Sequence, residues 1–296
     1  MPPRIAIPMP HSIDLEYGER AIPQYESAIR QAGGEPIRIP LDQTTAEIKE
    51  MIESCDGVLL PGSNADIDPA RFGAPRSPQT AAADPRRDTV DALLLEDAYN
   101  LRKPILGICY GLQSLNVFHA GSLIQHIPDF LPEELRTRVD HEAGGKVAVA
   151  HAVEIDRESK LAEIVNGSKH GNGIENGNGI GAENDREGHG FSRADKELRG
   201  NGVSAPEGKL VLPVNSSHHQ SADTIGDGLR ISARCPDDGI IEALEGSAPD
   251  HFVIAVQWHP ERSVDQDESS RAIFRALIQA AQIKAAETQT AQAGRK

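Results

Sequence analysis

Ile105-Leu106-Gly107-Ile108-Cys109-Tyr110-Gly111-Leu112-Gln113 is the stretch on which the reading of this chain turns. Four largely apolar residues, enough for a short strand, run straight into a cysteine, with one glycine two positions before it and another two after. A strand that turns at once into a helix needs small neighbours, because the corner is tight and its backbone is strained. The spacing therefore predicts a buried strand at 105–108, a helix over 111–119 and a thiol held out of the sheet at the elbow between them. A helix N-terminus also favours the thiolate form of a cysteine placed there. Taken alone, the same residue would suit a core position, since free Cys behaves as a small hydrophobe.

Outward from the elbow, short apolar runs at 4–7, 36–39 and 58–60 alternate with helical patterns at 25–32, 45–54 and 88–101. Strands separated by helices imply crossover connections, and hence a parallel sheet covered on both faces. Beyond Ala120 the character changes to alternating apolar and polar residues, as in Val147-Ala148-Val149 and Val153-Glu154-Ile155, which predicts half-buried strands of an antiparallel extension. Later strands are expected at 210–214, 229–233, 240–244 and 253–257, with a terminal helix over 269–281. The fold class expected is α/β: a three-layer sandwich with a mostly parallel central sheet, flavodoxin-like, plus an antiparallel extension. A single domain over 1–284 is expected, interrupted at about 166–208 by a Gly/Asn-rich insertion too poor in apolar residues to offset its ordering entropy, and followed by a frayed tail at 285–296.

The chain has 296 residues, with 45 Asp and Glu against 30 Lys and Arg, for a net charge of −15. That sign is wrong for a surface that neutralises phosphates, so neither nucleic acid nor an anionic membrane is expected as a partner. No apolar run reaches the ~20 residues of a membrane span. Met1-Pro2-Pro3-Arg4 passes directly into Ile5-Ala6-Ile7 without a secretory pattern, and a soluble cytoplasmic protein is expected. Cys55, Cys109 and Cys235 are too few and too scattered for a disulfide framework or a paired zinc motif.

A cysteine nucleophile needs a base, and the base needs an orienting partner. The apolar run at 253–257 leads into Trp258-His259-Pro260-Glu261. In an extended segment residues i and i+2 lie on one side, so His259 and Glu261 are expected to face the same way, with Pro260 keeping the chain out of a helix. One ring nitrogen could then meet the thiol while the other donates to the carboxylate. The bland alternative is a structural His beside a solvated Glu.

Five stretches in this order, Leu60-Pro61-Gly62-Ser63, Asp84-Pro85-Arg86-Arg87-Asp88, Gly107 to Gln113, Val214-Asn215-Ser216-Ser217-His218-His219-Gln220 and Gln257-Trp258-His259-Pro260-Glu261, resemble the class I glutamine amidotransferase-like superfamily and, within it, the γ-glutamyl hydrolase branch. The resemblance implies a cysteine amidohydrolase that cleaves the γ-glutamyl amide bond of a small compound such as γ-glutamyl-γ-aminobutyrate through a thioester, as in polyamine (putrescine) degradation. It implies Cys109 as nucleophile, His259 as proton carrier and Glu261 as the group that fixes the imidazole tautomer. Gly62, Ser63 and Tyr110 would supply oxyanion donors, and Gln113, His218, His219 and Gln220 would meet the substrate. No cofactor and no metal are implied. His218 and His219, being adjacent, should point to opposite sides, and His11, His119, His126, His141, His151 and His251 show no ligand spacing along the chain.

Branch members often carry Arg directly after the nucleophile and a Gly-Gly pair in the oxyanion turn, where this chain has Tyr110 and Ser63. Either change keeps the backbone N–H that such chemistry needs. Two alternatives stay open at this stage: a glutaminase subunit that hands ammonia to a synthase partner, and a catalytically silent binding relative. The leaving amine and the oligomeric state are open too, with a homodimer as the default.

Overall fold

In a computed structural model, residues 1–170 and 209–293 of the chain are described. The first half alternates as the sequence pattern predicts: β1 (Arg4–Pro8), α1 (Leu15–Gln31), β2 (Glu35–Ile39), α2 (Thr45–Glu53), β3 (Gly57–Leu60), α3 (Pro85–Leu101), β4 (Ile105–Ile108) and α4 (Tyr110–Phe118). The second half adds β5 (Leu123–Ile124), α5 (Ile127–Phe130), β6 (His151–Asp156), α6 (Lys160–His170), β7 (Lys209–Val214), β8 (Ser221–Ala222), β9 (Leu229–Arg234), β10 (Ile241–Gly246), β11 (Val253–Val256) and α7 (Glu268–Ala293).

Among the described residues, nine strands form one sheet in the order β2-β1-β3-β4-β11-β10-β9-β6-β7. The first five are mutually parallel, and from β11 outward every pairing is antiparallel. The fold is α/β, with the mostly parallel centre and antiparallel extension that the pattern predicts. Side-chain alternation sends Ile5, Ile7 and Leu59 to one face, where α1, α6 and α7 cover them, and Ala6, Val58 and Leu60 to the other, under α2, α3 and α4. Those are the three layers.

Several boundaries differ from the sequence reading, each for a local reason. Helix α1 begins at Leu15 rather than at 25, because the Asp14 side chain caps it by accepting the Tyr17 N–H and an apolar face runs through Ile22, Tyr25 and Ile29. Pro23 and Gly18 hide that helix from a propensity reading. Val147-Ala148-Val149 is not a strand; the antiparallel strand starts only at His151, where pairing with β7 begins. Helix α7 continues past 281 to Ala293 and takes in most of the stretch expected as a frayed tail. Its extra turns are rich in Ala, Glu, Gln and Lys, strong helix formers apart from two threonines. The first residues of the expected insertion, through His170, continue α6, while 171–208 lies outside the described residues. No helix among the described residues is long and apolar enough to cross a membrane.

What this architecture does for the site is a matter of register. Strand β4 lies between β3 and β11, with Leu60 opposite Gly107 and Val256 opposite Ile108. All three are parallel, so the residues that follow them emerge together at one edge: the 61–63 turn, Cys109 and the 257–261 segment. Ligands of open α/β sheets bind at that carboxyl edge.

Candidate active site

Cys109 has φ 54° and ψ −106°, a conformation that an L-residue adopts only under strain. Its N–H donates to the Val256 carbonyl (2.8 Å), and its own carbonyl accepts the Leu112 N–H (3.0 Å), so the corner is held from both sides. The flanking glycines are steric necessities. A Cβ on Gly107 would stand 2.9 Å from the Gly111 carbonyl carbon and oxygen, and one on Gly111 would stand 2.7 Å from the Leu60 Cβ, with the Leu60 carbonyl oxygen nearer still. Helix α4 thus starts in contact with β3, and the thiol faces a cavity of about 500 Å³ that Tyr17, Ser63, Gln113, His219, His259 and Arg262 help to line.

Beside Cys109 the structure places His259, whose Nδ1 lies 2.7 Å from Glu261 Oε1. With Glu261 holding Nδ1, the other ring nitrogen, Nε2, is left for the thiol. The link runs through a one-turn 3-10 helix, Pro260–Arg262, and not along the extended segment expected from the sequence. Pro260 at the first helical position fits such a turn, its fixed φ being suited to helix entry. The His259 N–H donates to Asn215 Oδ1 (3.1 Å), which fixes the backbone from the far side. Burial pulls the imidazole down, but the charges of Glu261 and Cys109 and its hydrogen bonds to both outweigh it, and its pKa rises to about 9. The ring is therefore held as imidazolium at neutral pH.

The 61–63 turn is fixed by groups the sequence did not single out for the purpose. Arg87, fully buried, pairs with Asp91 (2.6 Å) and donates to the carbonyls of Pro10 (3.1 Å) and Pro61 (2.8 Å). The Gly62 N–H donates to the Tyr25 hydroxyl (3.0 Å). Burial, reinforced by the Glu261 charge, holds that phenol well above its usual range, so it stays neutral. Gly62 was expected as an oxyanion donor; its N–H is already committed. Ser63, next in the turn, lines the cavity and accepts the Ala65 N–H with its hydroxyl (3.1 Å). The Tyr110 N–H is the first of α4 and has no i−4 carbonyl to bond. Its side chain points away, donating to Asp88 (2.7 Å) and covering the Arg87 guanidinium at 4.8 Å.

Gln113 lines the cavity but spends its amide N–H groups on the Gln220 carbonyl (3.2 Å) and on Gln257 (3.4 Å). Gln220, also buried there, donates to the Gln125 carbonyl. The neighbouring histidines do diverge. His219 stays partly exposed with Nε2 3.0 Å from Asp66, whose hydrogen bond raises its pKa. His218 is buried and also contributes to the cavity wall, but its Nε2 faces Glu242. Charged groups that the sequence reading missed also rim the space: Lys146 and Arg262 carry one sign, Asp66 and Glu142 the other. None lies in a local pattern that would mark it.

Known proteins resemble the chain over most of its length. It is 31% identical to a γ-glutamyl-γ-aminobutyrate hydrolase of Escherichia coli O157:H7, across 90% of this chain and 88% of that one. A glutamine amidotransferase-like protein of Rickettsia prowazekii is 30% identical, over 86% of this chain and 87% of its own. Among solved structures, PurLQS from Thermotoga maritima superposes with a TM-score of 0.51 at 16% identity, covering 94% of this chain and 99% of that one, which speaks to the fold alone. The family model described as Peptidase C26 matches residues 9–176 and 202–261, and with the motif order and the fold this places the chain in the Peptidase C26 family of glutamine amidotransferase-like hydrolases.

Proposed function

We propose that this protein is a cysteine-dependent amidohydrolase of γ-glutamyl amides, with Cys109 as nucleophile, His259 as proton carrier and Glu261 as the group that orients it. The observation that carries the reading is the strained Cys109 backbone at the carboxyl end of β4, beside a buried His259–Glu261 pair 2.7 Å apart, both opening on one cavity. The Cys109 sulfur, its proton carried by His259 Nε2, attacks the γ-carbonyl carbon, and the carbonyl electron pair moves onto oxygen. The backbone N–H groups of Ser63 and Tyr110 receive that charge; a preorganised donor of this kind typically contributes ~3 kcal/mol to the transition state. Collapse breaks the C–N bond, and the amine leaves with a proton from His259 Nε2. His259, now neutral, takes a proton from water, whose oxygen attacks the thioester and releases glutamate and the thiol group.

The γ-glutamyl class is supported by the hydrolase named among the relatives and by the cavity, whose two signs of charge suit the amino and carboxylate groups of a glutamyl head. The test is amine release over a panel of γ-glutamyl amides, γ-glutamyl-γ-aminobutyrate and glutamine included, with Cys109→Ala as the blank. Turnover that survives in the blank would refute the assignment. Preference for glutamine, increased by a copurifying synthase, would move the reading to an ammonia-supplying subunit. A thiol inert to mild alkylation at neutral pH would mark a silent relative.

A further inference from the structure

Outside the catalytic triad, three histidines from different parts of the chain meet around one carboxylate. His141 precedes β6, His151 opens it, His218 lies between β7 and β8, and Glu242 sits on β10. His141 Nδ1, His151 Nε2 and His218 Nε2 stand 3.1, 3.3 and 3.3 Å from Glu242 Oε1. Each of the four side chains is at most 4% exposed, and the four atoms lie within 4.8 Å of one another. Despite these separations, none of the four makes a hydrogen bond. The rings aim past Oε1 rather than along an N–H···O line.

The opposite ring nitrogens are all engaged. His151 Nδ1 faces the Ala152 carbonyl (3.0 Å), His218 Nδ1 the Gln220 carbonyl (2.8 Å) and His141 Nε2 the Asp238 carboxylate (2.8 Å). A carbonyl or carboxylate oxygen only accepts, so each of those nitrogens carries its ring's proton. The nitrogen turned inward is then a lone pair in each neutral ring. Ser216 Oγ holds the other oxygen of Glu242 (3.2 Å). Three imidazoles and an anionic oxygen thus converge in a buried space that calls for positive charge: either protons on His141 and His151, whose pKa values the neighbouring carboxylates raise against burial to about 9 and about 10, or one cation that takes the place of those protons. Histidine ligands of metals usually have just this outer shell, with the second N–H given to a carbonyl or carboxylate. Ligand atoms about 2.0–2.1 Å from a tetrahedral zinc lie ~3.3 Å apart, which matches the three nitrogen–oxygen separations.

We propose that His141 Nδ1, His151 Nε2, His218 Nε2 and Glu242 Oε1 form a closed four-coordinate site for a divalent cation of zinc's class. All four positions come from protein, so the role is structural. The cation joins β10, the start of β6 and the loop after β7, and that loop also supplies Asn215 to the His259 backbone and lines the catalytic cavity. The inference does not depend on the reaction assigned to Cys109.

The test uses the full chain without a histidine tag, stripped with a chelator and reloaded with Zn²⁺ or Co²⁺. Expected are one metal per chain, the visible absorption of tetrahedral Co²⁺ and a higher melting temperature for the Zn²⁺ form. His151→Gln and Glu242→Gln should each weaken uptake at least tenfold. X-ray absorption of the zinc-loaded wild type should count three imidazoles, a readout that survives even if a variant fails to fold. No uptake by the stripped wild type at micromolar metal, equal uptake by wild type and folded variants, or a zinc shell without imidazole would overturn the proposal.

Discussion

Replacing Gly111 by alanine sets two physical effects against each other. Helix propensity alone favours the change, since Ala exceeds Gly by about 1 kcal/mol inside a helix. The structure opposes it: the new Cβ would meet the Leu60 Cβ at 2.7 Å and its carbonyl carbon at 2.8 Å, and the atoms in the way belong to β3, paired on both sides within the sheet. Restoring an ordinary carbon–carbon contact of ~3.5 Å to the Leu60 Cβ requires α4 to withdraw by roughly 0.8 Å, and the nearer Leu60 carbonyl oxygen demands more. Overpacking of this kind costs about 1–3 kcal/mol, sometimes more, so a net loss of ~1–2 kcal/mol or more is expected despite the better helix former. The movement would also carry the Tyr110 N–H and Cys109 away from Ser63 and His259, where a misplacement near 1 Å can cost ~100-fold in rate. Gly18→Ala, at a helix position where the nearest atom is 3.6 Å away, is the control and should stabilise by up to ~1 kcal/mol. Urea unfolding and single-turnover thioester formation on both variants decide it. A Gly111→Ala protein as stable and as fast as the wild type would refute the steric account of the elbow.

Glu261→Gln removes the charge that holds His259 protonated and offers an amide N–H to Nδ1, turning the tautomer; turnover should fall on the order of 10²–10⁴-fold with the fold retained, as circular dichroism alongside kinetics would show. His259 has a folded pKa of about 9 against 6.5 unfolded, so its stabilising contribution is complete below pH 6.5 and is lost as the pH rises through 9. Between pH 6.5 and 9.5 the wild type should therefore lose of order 3 kcal/mol more unfolding free energy than His259→Gln, and parallel losses would contradict the assignment. Arg87→Met leaves Asp91 buried without its partner and frees the Pro61 carbonyl; a loss of about 3–5 kcal/mol in chemical denaturation is expected, and a neutral result would mean that the pair is not buried in solution.

What the sequence disclosed, and what it hid, follows from the range of the interactions involved. The 105–108 strand and the elbow were legible because Gly107 and Gly111 act within a few residues of Cys109. The His259–Glu261 pairing was legible as a spacing but not as a shape, since a 3-10 turn and an extended segment can both place residues i and i+2 within reach. Helix α1 was half missed because its cap, Asp14, and its apolar face straddle Pro23. The gathering of His141, His151 and His218 had no local sign at all. It depends on the antiparallel pairing of β6, β7, β9 and β10, which brings distant segments to one place and which composition does not encode.

The same distinction explains the Asp84 to Asp88 motif, one of the five stretches that carry the family resemblance. Its side chains do not line the cavity that Cys109 faces. Asp84 accepts the Ser12 N–H and caps α3, and Arg87 reaches back to the Pro61 carbonyl. The Pro61 carbonyl and the Gly62 N–H belong to one peptide unit, and Arg87 and Tyr25 hold its two ends. With that plane fixed, its N–H is turned to Tyr25, and the next amide, that of Ser63, becomes the one available beside Cys109. An arginine here costs a great deal to bury, so its presence needs a function. On the proposed mechanism, orienting a single amide before any charge develops on the substrate is a sufficient one, because preorganisation is where electrostatic catalysis gains most. On that mechanism the turn is specified from behind, by the peptide it follows, and asks of Ser63 and Tyr110 only an N–H.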